Sequence, residues 1–264
     1  MDLELKDKVV LVTGGAQGIG EAITRRFAKE GAVTIILDRN EKAATALVQS
    51  LKAESLRVDW AHVDLTSLPQ IATAIGEVLQ KHGRLDVLVN NAGVNDSVGL
   101  SHSPDDFLQS IHKNLIHCFA CVHYALDALK KSRGCIVNIG SKVCLTGQGG
   151  TSGYAASKGA VAALTREWAV DLAQDGIRVN CVLPAEVMTP LYEQWISKQP
   201  NPELALKNIE KLIPLGGRFT SVEEIADTVA FVASARSSHT TGQLLHVDGG
   251  YTHLDRAQTF KSDH

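Results

Sequence analysis

Apolar positions along the chain follow two alternating periods. Short aliphatic and β-branched runs, bounded by Gly, Asp or Asn, recur at residues 8–13, 33–38, 57–62, 85–90, 134–139, 177–183 and 243–247. They are too brief for helices and read as strands buried on both faces. Between them the apolar residues fall three and four apart, which predicts helices over 20–30, 41–53, 68–82, 104–131, 154–175, 190–196, 202–212 and 221–233. Strand and helix in alternation predict one α/β domain over 1–264, a doubly wound Rossmann fold with a parallel sheet of about seven strands and helices on both faces. No repeat, low-complexity segment or linker divides the chain.

The first strand runs straight into glycines. Val9 to Val12 are followed by Thr13, Gly14, Gly15, Gly18 and Gly20, and then by the helical period of Ala22, Ile23, Arg26 and Phe27. Glycine removes the Cβ where backbone must bend or be approached closely. A helix opening at such a loop aims unpaired N–H groups and the positive end of its dipole at it, so a pyrophosphate can sit there without a basic side chain. Glycines alone would also suit plain helix-on-strand packing. The second strand, however, ends in Asp38, where a dinucleotide fold places an acid for the ribose 2′-hydroxyl. Strand, loop, helix, strand and acid in order predict a dinucleotide site.

In a right-handed parallel sheet the strand C-termini line one edge, and ligands bind in the crevice there. The strand ends therefore nominate pocket residues: Asp38, Asp64, the run Asn90, Asn91, Ala92 and Gly93, then Ser141 and Pro184. Asp64 reads equally as a cap for the helix that follows or as an acceptor for an adenine amino group. Tyr154 and Lys158 lie four apart among small residues, on one face of a helix. An ammonium beside a phenol favours the phenolate, which makes Tyr154 a candidate proton donor and acceptor.

Composition narrows the partner. Net charge is −3 with both signs interspersed, so no basic face argues for nucleic acid or anionic lipid, and a small-molecule substrate is expected. The first residues, MDLELKDK, lack an apolar export segment and no run reaches membrane length, which points to the cytoplasm and away from a membrane. Five cysteines form no regular framework; Cys118 and Cys121, in an apolar helical stretch, read as buried thiols. The ten histidines are scattered, and no metal ligand is assigned.

Together TGGAQGIG (13–20), Asp64, NNAG (90–93), Asn114, Ser141, YAASK (154–158), PAEVMT (184–189) and VDGG (247–250) resemble the short-chain dehydrogenase/reductase family, in family order and over nearly the whole chain. The resemblance implies that Tyr154 is the acid/base, that Lys158 favours its phenolate and binds the nicotinamide ribose, that Ser141 holds the substrate oxygen, and that Asn114 supports a water relay. It implies cofactor contacts from Gly14, Gln17, Gly18, Ile19, Gly20, Asp38, Arg39, Asp64, Leu65, Asn90, Ala92, Gly93, Pro184, Val187 and Thr189, with Tyr154 and Lys158. Ala185 stands where the family most often has glycine. Asp38 repels a 2′-phosphate and accepts from a free hydroxyl, so NAD is expected over NADP, with Arg39 as a complication. Helices 104–131 and 154–175 resemble the interfaces that make family members tetramers.

Substrate must be decided elsewhere. A lid over about 185–215 brings Glu186, Tyr192 and Trp195; Asn95, Gln148 and Lys142 are further polar candidates at strand ends, with Lys142 and Glu193 the weakest. That mixture suits a sugar or polyol better than a steroid or acyl chain. The lid stretch PAEVMTPLYEQWI (184–196) and VDGGYTHLDRA (247–257), which leads into a C-terminal tail over 251–264, resemble bacterial sugar dehydrogenases of the L-fucose dehydrogenase kind, which oxidise the anomeric hydroxyl of an aldose to a lactone. The alternatives are a 3-oxoacyl carrier-protein reductase, a hydroxysteroid dehydrogenase, or an idle nucleotide-binding member of the fold.

Overall fold

A computed structural model of the chain describes residues 1–254. Seven strands, β1 (Val9–Thr13), β2 (Val33–Asp38), β3 (Val58–His62), β4 (Val87–Asn90), β5 (Cys135–Ile139), β6 (Arg178–Pro184) and β7 (Leu244–Val247), form one sheet in the order β3-β2-β1-β4-β5-β6-β7. Every pairing is parallel. The alternation of apolar runs and helical periods thus gives the doubly wound sheet that it predicts. None of the described helices is long and apolar enough to cross a membrane.

Strand pleating sends successive side chains to opposite faces. Val9 and Leu11 join the core beneath α3 (Leu68–His82), α5 (His117–Ser132) and α6 (Ser152–Asp171), whereas Val10 and Val12 join the core beneath α1 (Gly18–Lys29) and α9 (Val222–Ala233). All five β1 residues are therefore buried. Helix α2 (Glu41–Ala53) covers a third, smaller cluster around Ile36 and Leu51. Cys118 and Cys121 are buried in the first core, as expected for apolar thiols.

Two expected helices differ. The apolar period over 104–131 predicts one helix, but α4 (Pro104–Ile111) and α5 are joined by a π-turn over His112–Ile116. One wider turn leaves the apolar face nearly in phase, so hydrophobic spacing does not reveal it. Asn114 lies within that turn, and its Nδ2 donates to the Ser110 carbonyl at 3.0 Å, occupying an acceptor of the preceding helix. Helix α6 stops at Asp171, before the predicted 175, and begins two residues ahead of Tyr154. The shorter α7 (Pro190–Ile196) and α8 (Pro202–Glu210) lie within the predicted lid. The part of the proposed tail beyond Leu254 lies outside the described residues.

The order of the sheet reverses between β1 and β4, and the connections that leave these two parallel strands run to opposite sides and open a crevice at their C-terminal ends. The two strand ends are laced together there. Thr13 Oγ1 donates to Val89 O at 3.3 Å and accepts from the Asn91 and Ala92 amides at 3.0 and 3.1 Å. Asn91 Nδ2 donates to the Thr13 and Gly14 carbonyls, both at 3.0 Å. A Cβ at Gly20 would stand 2.0 Å from Gly14 O and 2.6 Å from Asn91 Nδ2. Gly20→Ala is therefore expected to destabilise the fold by about 1–3 kcal/mol, read as a lowered denaturation midpoint; an unchanged midpoint would show that the loop is not packed this tightly.

Candidate functional site

The glycine loop forms one wall of the crevice. Gly14 and Gly18 adopt φ of +62° and +56°, a region costly for residues with a Cβ. Helix α1 begins after Gln17, whose side chain makes no capping hydrogen bond to it. Across the gap stands Thr189; the nearest atoms to a Cβ placed on Gly18 are Thr189 Cβ and Cγ2, at 3.5 Å. Thr189 also caps α7, accepting from Tyr192 N at 3.2 Å. Val187 is buried beside it, and Pro184 ends β6 against Val247. Thus the loop after β6 faces the loop after β1.

Asp38 closes the far end of that wall. Its Oδ2 accepts from Ala16 N at 3.1 Å and its Oδ1 from Asn40 N at 2.9 Å, while Asn40 Nδ2 donates to Gln17 Oε1 at 2.9 Å. Asp64 does not cap the next helix, which starts after Ser67. Its Oδ1 accepts from the Thr66 amide and hydroxyl at 3.0 and 2.8 Å. Those Thr66 hydrogen bonds, followed by the nearby Arg39 charge, hold the Asp64 carboxyl below the ordinary range. Arg39 therefore has a carboxylate neighbour besides Asp38. Ile19 and Leu65 are half-buried against the cores on opposite faces of the sheet.

These residues fit an extended dinucleotide. A cradle exists where side chains would intrude, an uncapped helix start faces it, and a carboxylate waits beyond. Asn90 sits underneath, fully enclosed, donating through Nδ2 to Asn138 Oδ1 at 2.9 Å; Asn138 in turn donates to Thr165 Oγ1 at 2.9 Å. Asn90 thus ties β4 to β5, and through Asn138 to α6.

The second cluster gathers at the ends of β4 and β5. Lys158 is buried, and its Nζ donates to Ile139 O at 2.7 Å. The same Nζ lies 5.6 Å from the Tyr154 ring centroid. A Cβ on Gly93 would meet Asn114 Oδ1 and Lys158 Nζ, each at 3.3 Å, so these two groups flank Gly93. Asn114 Oδ1 accepts from Val94 N at 2.7 Å. Ser141 caps the short turn Lys142–Cys144, on which α6 packs. The π-turn therefore carries Asn114 beneath the loop that holds Gly93, next to the lysine.

Of the residues proposed for substrate, the structure joins Glu186, Tyr192 and Trp195. Glu186 Oε2 accepts from the Tyr192 hydroxyl at 2.7 Å, and Glu186 Oε1 pairs with Lys142 Nζ. Burial and the Glu186 carboxylate push the Tyr192 phenol up, keeping it a donor. Trp195 and Phe219 meet the Tyr192 ring edge-on, at centroid distances of 5.4 and 5.3 Å. Asn95 accepts from Ser97 N within its own turn, Gln148 lies exposed, and Trp195 remains 49% exposed.

Sequence reasoning named Asn91 and Lys142 without their contacts and passed over His117. Asn91 stands in the NNAG motif, but its bonds to Thr13 and Gly14 are visible only once β1 and β4 are neighbours. Lys142, ranked weak from sequence, is 8% exposed, as is its partner Glu186. His117 is fully enclosed one turn from Asn114; burial, then the Lys158 charge, lower its imidazole to about 4, so it is neutral at physiological pH.

Comparison with known proteins agrees with this architecture. The family model described as enoyl-(acyl carrier protein) reductase matches residues 14–252. The chain is 39% identical to the 3-oxoacyl-[acyl-carrier-protein] reductase of Thermotoga maritima, over 94% of this chain and 99% of that one. It is 36% identical to the L-fucose dehydrogenase of Bos taurus, over 92% and 88%. The solved structure of Cj0485 dehydrogenase superposes with a TM-score of 0.94 at 45% identity, covering 99% of this chain and all of the other. With a matching model, full-length relatives and the sheet order in agreement, the chain belongs to the short-chain dehydrogenase/reductase family and is an oxidoreductase.

Proposed function

We propose that the protein oxidises a hydroxyl of a sugar or polyol with NAD, the best candidate being the anomeric hydroxyl of an aldose such as L-fucose, giving the lactone. The observation that carries this reading is the paired charge at the crevice: Glu186, Lys142 and the Tyr192 hydroxyl form a polar cluster beside Ser141. Such a wall offers hydrogen bonds to a polyhydroxylated ligand and little to an acyl chain or sterol. A relative that carries the name L-fucose dehydrogenase supports the same choice.

In this reading Tyr154 takes the proton of the reacting hydroxyl and Ser141 holds its oxygen. Lys158, fixed by the Ile139 carbonyl, sets its ammonium near the phenol and binds the ribose; Asn114 orders the proton path behind it. NAD, when bound, supplies the hydride acceptor. Gly14, Gly18, Gly20, Gln17, Ile19, Leu65, Ala92, Gly93, Pro184, Val187 and Thr189 line its path, and Asn90 supports that path from beneath. The family uses NAD(P); the carboxylate of Asp38 at the end of the cradle, with Asp64 beside Arg39, favours the free ribose hydroxyl. Exposed Phe119 on α5 and Val170 on α6 support assembly as a tetramer, which in this reading works in the cytoplasm on a small-molecule substrate.

A second reading, 3-oxoacyl carrier-protein reduction, is favoured by the name of the Thermotoga relative. A panel of aldoses and β-hydroxyacyl thioesters with NAD and NADP separates the two. NAD-linked turnover of an aldose is expected, and turnover confined to thioesters with NADP(H) would end the sugar reading. Tyr154→Phe should lower kcat by roughly 10²–10⁴-fold while leaving NAD binding intact in a titration; retained turnover would favour an idle binding role. Asp38→Ala should weaken NAD by about 1.5–3 kcal/mol, the worth of a charged hydrogen bond, and narrow the gap to NADP; unchanged affinity for both would remove Asp38 from the ribose.

A further inference from the structure

The Lys142–Glu186 pair joins elements that no sheet hydrogen bond connects at this level. Lys142 opens the turn after β5, Glu186 lies in the loop after β6, Tyr192 is on α7, and Tyr251 follows β7. The three strands are adjacent in the sheet, and all their C-terminal extensions meet at one ammonium and one carboxylate. Lys142 Nζ contacts Glu186 Oε1 and sits 3.9 Å from the centroid of the Tyr251 ring. The other carboxylate oxygen takes the Tyr192 hydroxyl. Both charged residues are 8% exposed.

A buried ion pair contributes little net stability, because desolvating two charges offsets most of their attraction. Apolar side chains would pack this junction as well. What an ion pair adds is a fixed position for each partner, since either charge left alone is costly. Lys142 follows Ser141 directly, and Glu186 stands three residues before Thr189. The pair therefore sets the spacing between the strand end that holds the substrate oxygen and the lid that closes over it.

We propose that Lys142 is a positioning residue, which holds Glu186 as a buried carboxylate and so fixes the substrate wall of the lid against the catalytic strand. This rests on the reading of that wall as the substrate side of the crevice. Three groups face the carboxylate cluster from the packed elements: Lys142 from the turn after β5, Tyr192 from α7, and Tyr251 from the segment after β7.

The test is a pair of single variants with opposite charge left behind. In Lys142→Met a lone buried carboxylate keeps its proton to higher pH when folded than when unfolded, so stability is lost as pH rises above about 4.3, the unperturbed glutamate value. In Glu186→Gln a lone buried ammonium gives up its proton earlier when folded, so stability is gained as pH rises towards about 10.4. Relative to wild type, Tm should drift down with pH in the first and up in the second, each by roughly 3 °C per pH unit within its window. The double variant should be flat. For whichever substrate the panel identifies, Lys142→Met should raise KM about 10- to 100-fold with a smaller change in kcat, and Lys142→Arg should restore much of the loss.

Single variants whose Tm runs parallel to wild type at every pH would overturn the proposal, as would a KM unmoved in Lys142→Met. Should that variant fail to fold, the upward drift in Glu186→Gln decides alone. The stability curves need no substrate, so they judge the pair even if no aldose is turned over, an outcome that would instead sink the functional reading.

Discussion

Lys158 anchors the candidate site of this molecule. An ammonium this deeply enclosed must be satisfied by the protein, and the acceptor it finds is the carbonyl of Ile139, the last residue of a central strand. That hydrogen bond is one of the ties that hold α6 against the sheet, beside the Asn138–Thr165 bond and the apolar packing of Val161 and Trp168. Tyr154, one turn earlier on the same helix, is thereby brought over the crevice, and Gly93 opposite has no side chain to fill the space between Lys158 and Asn114. The chemistry of the site follows from where one charge is anchored.

The remaining architecture supports that anchor from two directions. From below, Asn90, Asn138 and Thr165 form a buried chain of hydrogen bonds that ties α6 to the middle of the sheet. Such a network specifies one arrangement because each member is costly to leave unpaired. From the side, Thr13 and Asn91 hold the diverging ends of β1 and β4 at a fixed separation. The glycine cradle and the proposed proton-transfer groups thus stand on adjacent strand ends of one sheet. On the outer side the aromatic and charged contacts of Tyr192, Glu186 and Lys142 set the lid.

Much of this was legible in the chain. Strand runs at both ends of each glycine or asparagine signal, with helical spacing between, are enough to order a parallel sheet and to say which loops share an edge. The glycines and Asp38 carry their meaning locally, because backbone approach and a strand-end acid are properties of a few neighbouring residues. Asn114 and Lys142 do not. A π-turn shifts one residue without breaking the apolar stripe, so the helix over 104–131 reads as continuous and its spacing does not show that Asn114 is buried. Lys142 resembles any lysine at a strand end until Glu186 arrives from a different crossover. A buried charge is recognisable only through its partner, and here the partner is distant in sequence.

The most direct measurement of the central claim is a crystal structure of the protein soaked with NAD. The account predicts the nicotinamide ring in the crevice between Thr189 and the Tyr154 hydroxyl, with the ribose on Lys158 and the adenosine end at Asp38. A ring bound away from the Tyr154 hydroxyl, or a nucleotide lying across another edge of the sheet, would contradict it.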